Sequence, residues 1–347
     1  MFVALRTFRP SRCGFPEFNS VTGRQAQAKE NVGLMQIELA RRQFLKRIGG
    51  GVLAGAGLGM FGVPAVDASS VDMGVDPAKK PRLLVSCCAY SFRDQLTNGQ
   101  MTLEDFIQKA VEFELDAVDL TVYYLKSTDP EYLDSLRHLA YKNALPLSGA
   151  ACNTSMAQPD ATKREESLGL IKKWVDVTDR LGASHLRVFA GELPTGVSLQ
   201  QSIDSVVEVM KAACDYSAPK GITLGLEDHS GVSQSAEVCL EIMARVDSPY
   251  AGIVLDITHF VPSPAQDAYA QIAACIPYAT VAHIRNRFDD KTAIDMDRVW
   301  MLFAKAGHKG YMAVEYDPAW NGGEPSGTGA PKLIAETRAL CKKYSSA

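Results

Sequence analysis

From Leu83 onward the chain runs through two hydrophobic rhythms in turn. Short apolar runs without alternation, which suit parallel strands buried on both faces, cover 83–89, 116–120, 146–151, 184–190, 222–227, 251–256, 279–283 and 310–315. Between them lie longer segments with helical spacing. Thr102 to Asp105 reads as a capping box opening the first helix, and the others are expected near 131–143, 162–181, 199–218, 235–246, 265–275, 295–306 and 331–343. Gly182, Gly221, Gly252 and Gly310 stand where helices hand over to strands and read as left-handed helix ends. Eight strand–helix units with no second compositional zone predict one closed α/β domain, a (β/α)8 TIM barrel over residues 82–347. An open doubly wound sheet that binds nucleotides is the weaker alternative, because nothing like G-x-G-x-x-G follows the first strand.

The last four apolar runs each end on a group able to hold a metal. ITLGLE ends at Glu227, AGIVLD at Asp256, ATVAH at His283 and GYMAVE at Glu315. They recur roughly every 30 residues, the length of one strand–helix unit. One such residue is ordinarily a helix N-cap or a solvated loop group. Four at one period, with His259 three residues after Asp256, point instead to convergence at the carboxyl ends of the strands, where a barrel of this kind carries its active site. Left unpaired in the core, each would cost several kcal/mol. Three carboxylates and one imidazole make an oxygen-rich set for a single divalent ion. The nitrogen tilts the expectation toward Mn2+, with Co2+, Mg2+ and Zn2+ as alternatives.

Composition narrows the partner. The chain has 347 residues, is 46% apolar and carries a net charge of −4. No basic stripe argues for nucleic acid, so a small molecule is expected. Eight cysteines are present, none in C-x-x-C spacing, so no disulfide framework is expected; Cys87, Cys152 and Cys275 read as small buried hydrophobes.

The front of the chain has another character. Residues 1–34 are polar and irregular, and Met35 is an alternative start to Met1. Arg41 and Arg42, followed by Gln43, Phe44, Leu45 and Lys46, precede a glycine-rich apolar run from Ile48 to Val66. This resembles a twin-arginine export signal. Gly49, Gly50, Gly51, Gly55 and Gly57 make the run a poor membrane anchor, and Val66-Asp67-Ala68 resembles a cleavage site ahead of Ser69. Residues 1–68 are therefore expected to be a leader and 69–81 a linker, with the mature protein periplasmic and touching the membrane only during export.

LGLEDH, GIVLDITHF, VAHIRN and GYMAVE together resemble the xylose isomerase-like TIM-barrel superfamily of sugar isomerases and epimerases, and the likeness spans roughly Leu83 to Tyr344. The resemblance implies that Glu227, Asp256, His283 and Glu315 are ligands to one divalent metal. It also implies that Glu227 and Glu315 exchange a proton beside a sugar carbonyl, and that His259 contacts substrate. His229 falls where many members carry a histidine. Asp228 stands where asparagine is frequent, and Arg285-Asn286 where Lys-Asp is frequent, so the substrate is left open.

Further strand-end groups are weaker candidates for substrate contact: Tyr90, Arg93, Asn153, Arg187, Glu192, Arg285, Arg287 and Trp320, the last followed by a glycine-rich loop over 321–330. His185 is expected to be structural, on the face away from the site, and His138 and His308 to be solvated. The leading expectation is a metal-dependent sugar isomerase or epimerase acting on a free sugar or sugar derivative. A 3-keto-glycoside lyase on the same metal site and a non-catalytic periplasmic sugar-binding barrel are the alternatives. Some relatives repair abasic DNA with three metals; six histidines and a mild negative charge argue against that activity here. The sequence leaves homo-oligomerisation open.

Overall fold

The computed structural model describes residues 80–263 and 266–345. The expected leader, with its arginine pair and apolar run, and nearly all of the expected linker lie outside the described residues. Eight parallel strands close a barrel in sequence order: β1 (Arg82–Cys88), β2 (Ala117–Thr121), β3 (Leu147–Ala151), β4 (His185–Val188), β5 (Thr223–Glu227), β6 (Ala251–Asp256), β7 (Ala279–Ile284) and β8 (Lys309–Val314). β8 returns to pair with β1 from Arg82↔Lys309 to Cys87↔Val314. Outside lie α1 (Arg93–Thr97), α2 (Leu103–Glu112), α3 (Pro130–Lys142), α4 (Ala161–Leu181), α5 (Leu199–Ser217), α6 (Ala236–Val246), α7 (Ala268–Cys275), α8 (Met296–Lys305) and α9 (Ser326–Ser345).

Local chemistry sets many of the boundaries. Thr102 and Asp105 form the reciprocal capping box at the start of α2, and Ser198 with Gln201 forms a second at α5. Gly182 and Gly221 turn the chain in the left-handed region, with φ of 75° and 69°. Gly252 and Gly310 lie inside β6 and β8 instead. What they supply is space: a Cβ on Gly252 would come 2.9 Å from Tyr278 O, and one on Gly310 would come 2.5 Å from His308 Nε2. α7 starts at Ala268 rather than 265, because the Asp267 side chain caps it by accepting from Tyr269 N. α9 starts at Ser326, so part of the run read as a loop is helical. Thr328 N and Gly329 N both donate to Pro325 O and close a first turn ahead of Pro331.

Alternate strand residues serve two different environments. Leu186 and Val188, Leu224 and Leu226, Ile253 and Leu255, and Met312 and Val314 belong to one hydrophobic core shared with the helices, including Phe106, Trp300 and Phe303. The intervening positions face the inside of the barrel, and several are polar. His185 on β4 reaches Thr280 Oγ1 on β7 at 3.0 Å, a contact between non-neighbouring strands that can form only through the interior. It therefore points inward, not away from the site. His185 and Arg187 are two residues apart on one strand and so share a face. Gly149 and Gly225 leave room for this imidazole: an added Cβ would approach its Nδ1 to 3.0 Å and its Nε2 to 2.5 Å. Burial pushes His185 down to about 3, so the ring is neutral.

His138 is exposed, as its place on α3 implies. His308 is not solvated: it is buried, with its ring 5.0 Å from that of Phe303 in an edge-on arrangement. Its position just before β8 tucks it beneath the strand. Among the described residues no helix is long and apolar enough to cross a membrane.

Candidate metal centre

Each of the four residues closing the last strands is delivered to the same point. Glu227 and Asp256 end β5 and β6, His283 lies near the end of β7, and Glu315 follows β8, its N–H still bonded to Ile284 O at 3.1 Å. The parallel register places Asp256 beside His283. All four are buried, and their ligand atoms lie within 4.8 Å of one another. His283 Nδ1 is 3.8 Å from Glu227 Oε1 and 3.6 Å from Glu315 Oε2.

Hydrogen bonding aims the set. Thr258 donates through both N and Oγ1 to Asp256 Oδ1, at 3.0 and 2.6 Å, which leaves Oδ2 buried and without a hydrogen-bond partner. His283 Nδ1 and His259 Nε2 are likewise buried and without a hydrogen-bond partner. Orphaned polar atoms in a dry interior are costly, and two of these three belong to the expected ligands. The donor chemistry and the orphaned atoms fit a divalent cation. Asp228 lies behind, accepting from Asp256 N at 2.7 Å, and burial raises it well above the usual carboxylate range.

Two arginines complete the electrostatics. Arg187 Nη1 approaches Glu227 Oε2 to 2.6 Å, and Arg285 Nη2 approaches Glu315 Oε2 to 2.5 Å and Asp256 Oδ2 to 3.5 Å. Burial would raise Glu227, but Arg187 and His283 outweigh it and hold the carboxyl well below its ordinary value. Asp256 is lowered in the same way, burial being overcome by Arg285 and His259. His283 moves against its burial up to about 9, driven by Glu315 and Glu227. The four-residue set alone carries excess negative charge, and the guanidiniums offset part of it.

His259 and His229 form one wall of the mouth. His259 Nε2 lies 3.4 Å from Asp256 Oδ2 while its Nδ1 bonds Asp289 Oδ2 at 2.8 Å. The rings of Phe189, His229 and His259 follow one another edge-on at 4.7 and 4.9 Å. Ser230 Oγ ties His229 Nδ1 to Glu192 at 3.0 and 2.9 Å.

The remaining candidates are engaged elsewhere. Arg287 donates to Lys291 O, and Lys291 Nζ sits 3.0 Å over the Trp320 ring, so one face of that indole is covered by a cation. Arg93 pairs with Asp317 at 2.6 Å and packs on the Tyr90 ring. Asn153 lines a separate cavity of about 430 Å³ at the start of α4. Cys88, Thr121, Phe189 and Tyr123 stand near the site and escaped the sequence reading, and Arg187 was only a minor candidate there. Period-two alternation was the available signal: Asp119 and Thr121, like His185 and Arg187, put polar groups on one face of otherwise apolar strands.

Comparison with known proteins places this geometry. The family model for the xylose isomerase-like TIM barrel matches residues 107–344, and the chain belongs to that family. No curated protein matches the sequence. Among solved structures, the D-psicose 3-epimerase of Clostridium cellulolyticum H10 with D-tagatose is similar at 13% identity and a TM-score of 0.59, covering 76% of this chain and 96% of that one. The 3-keto-D-glucoside 4-epimerase of E. coli is similar at 13% identity and a TM-score of 0.60, over 75% of this chain and 100% of that one. A probable 3-DHS dehydratase of Bacillus anthracis matches at 17% identity and a TM-score of 0.57, over 74% and 98%. At these identities the likeness speaks to the fold.

Proposed function

We propose that the protein is a divalent-metal-dependent enzyme that moves a proton beside the carbonyl of a sugar or sugar derivative, as an isomerase or epimerase. The observation that carries this reading is the buried Glu227–Asp256–His283–Glu315 set, with Asp256 Oδ2 and His283 Nδ1 lacking a hydrogen-bond partner. These four would hold the ion, with Mn2+ the best match to three oxygen ligands and one nitrogen. A bound ion supplies Lewis acidity, making the proton beside a chelated carbonyl removable. Glu227 and Glu315 enter the mouth from β5 and β8, which are not neighbours in the barrel, and so can address a substrate carbon from different directions as base and acid. His259, steadied by Asp289, orients a hydroxyl, and His229 extends that wall. Arg285, Arg287 and Lys291, the cations of the β7 loop, all have protein partners, which favours an uncharged ligand over a phosphorylated one.

A second reading follows from one of the structural neighbours, an epimerase of 3-keto-D-glucosides. Removing a proton beside a keto group can also expel a glycosidic oxygen, so the same pair of glutamates would serve a lyase on 3-keto-glycosides. We further propose export through the leader, which would bring the enzyme to such glycosides.

The test is exchange of the substrate's carbon-bound proton with deuterated water, using Mn2+-loaded protein and a panel of free ketoses and keto-disaccharides. Exchange is expected for at least one class and should fall by about 10²- to 10⁴-fold in Glu227→Gln and Glu315→Gln. Product analysis separates epimer from eliminated aglycone. Normal exchange in both glutamine variants would overturn the assignment of the acid and base.

A further inference from the structure

Cys88 ends β1 one step beyond the Cys87↔Val314 pairing, which sets it beside Glu315 inside the barrel. It is buried, and its Sγ lies 3.4 Å from Thr121 Oγ1. Sγ, a nitrogen of His283 and a carboxylate oxygen of Glu315 lie within 4.8 Å of one another, a grouping separate from the four-residue set but sharing two of its members. His283, which the trio shares with the four-residue set, has its Nδ1 fully buried and without a hydrogen-bond partner, facing Glu315 at 3.6 Å. Donor atoms around one tetrahedral ion, with bonds of about 2.0–2.3 Å, sit about 3.5 Å apart. Closing this trio on an ion therefore needs a movement of only about 1 Å, well within side-chain adjustment.

We propose that Cys88, His283 and Glu315 form a second, overlapping metal position that thiophilic divalent ions occupy and hard ions do not. The inference rests on the reading of the four-residue set as a metal centre. Thiolate binds zinc and cadmium strongly and manganese poorly, whereas carboxylates suit manganese. Both positions use His283 and Glu315, so an ion drawn to Cys88 leaves Glu227 and Asp256 without the ligands they need. The barrel would thus carry a built-in discrimination. Manganese sits among the acid–base glutamates, while zinc or cadmium is diverted toward β1 and blocks the centre. Binding at Cys88 releases the thiol proton to solvent, and no redox change is involved.

The experiment uses the full chain, stripped with a chelator and loaded separately with Co2+, ¹¹³Cd2+ and Mn2+. Wild-type protein should show a sulfur-to-cobalt charge-transfer band and a cadmium resonance displaced in the direction of thiolate ligation. Both should disappear in Cys88→Ser, and its preference for Cd2+ over Mn2+ should drop at least about tenfold, or 1.4 kcal/mol by the conversion of an equilibrium ratio. Cys88→Ala makes the same comparison if the serine variant does not fold. Saturating Mn2+ should suppress the thiolate signals in the wild type, because two ligands are shared, and this needs no variant. Absence of a thiolate signal in the wild type, or its persistence in both Cys88 variants, overturns the proposal. Binding of Mn2+, followed by its electron paramagnetic resonance, decides the four-residue centre separately. A protein that binds Mn2+ without any thiolate signal keeps that centre and loses Cys88.

Discussion

Arg187 Nη1 lies 2.6 Å from Glu227 Oε2, with both side chains buried inside the barrel. The same guanidinium stacks over Phe189 at 4.0 Å and donates to Tyr123 OH at 3.3 Å, so it is fixed from three sides. Breaking a buried ion pair from one end costs about 3–5 kcal/mol, because the remaining charge is left without compensation. Arg187→Met is therefore expected to lose about 3 kcal/mol of stability in chelator. Added Mn2+ should return part of that loss, since a bound cation restores positive charge beside Glu227. Urea unfolding with and without Mn2+ measures both quantities. A variant equally unstable in either condition would separate Arg187 from the metal centre.

Metal affinity should rank the residues around Asp256 and His283. His283→Ala removes the nitrogen of an expected ligand and Asp256→Asn the charge of another, so both should abolish tight Mn2+ binding, with excess metal recovering only part. Thr258→Val removes one donor to Asp256 Oδ1 and should weaken Mn2+ by about 10-fold, the scale for an outer partner that orients a ligand. Calorimetric titration distinguishes the two classes. Equal losses in all three would assign Thr258 a direct place on the ion.

Gly225 keeps open the space filled by His185. A methyl group there would meet His185 Nε2 at 2.5 Å and Val254 Cγ2 at 2.6 Å. Gly225→Ala is expected to cost about 1–3 kcal/mol through overpacking, read as a lowered thermal midpoint. The loss should shrink when His185→Ser is added, because the clash then loses its partner. An additive double variant would mean that the strain arises at Val254.

His308 makes stability sensitive to mild acid. Burial lowers it from 6.5 to about 4, so the folded chain holds this ring neutral while the unfolded chain protonates it near its ordinary value. The contribution is intact above about pH 6.5 and is lost as the pH falls toward 4. Between pH 7 and pH 5 it amounts to about 2 kcal/mol. His308→Gln should flatten the pH dependence of unfolding by that amount, whatever its effect at pH 7. An unchanged slope would place the titration elsewhere.

The export reading has its own test. Replacing Arg41 and Arg42 by Lys should block translocation, and the mature chain should begin near Ser69. Full-length protein in the membrane fraction, still carrying Ile48 to Val66, would overturn it.

Sequence by itself determined the eight-fold alternation of strand and helix, and with it the closed barrel, because burial on both faces writes an unbroken apolar run and an exposed helix writes a period of 3.6. It also determined which residues end those runs, so Glu227, Asp256, His283 and Glu315 were legible as one set from spacing alone. The tertiary structure decided what surrounds them. Arg187 sits on β4 and Glu227 on β5, Arg285 on β7 and Glu315 after β8, and Cys88 on β1 beside Glu315. These partnerships depend on register and on which face of each strand turns inward. A one-residue change in register would reverse every face. His185 and His308 show the same limit. Each lies beside a strand edge where composition suggests little, and only the closing of the barrel placed the first in its interior and buried the second beneath β8.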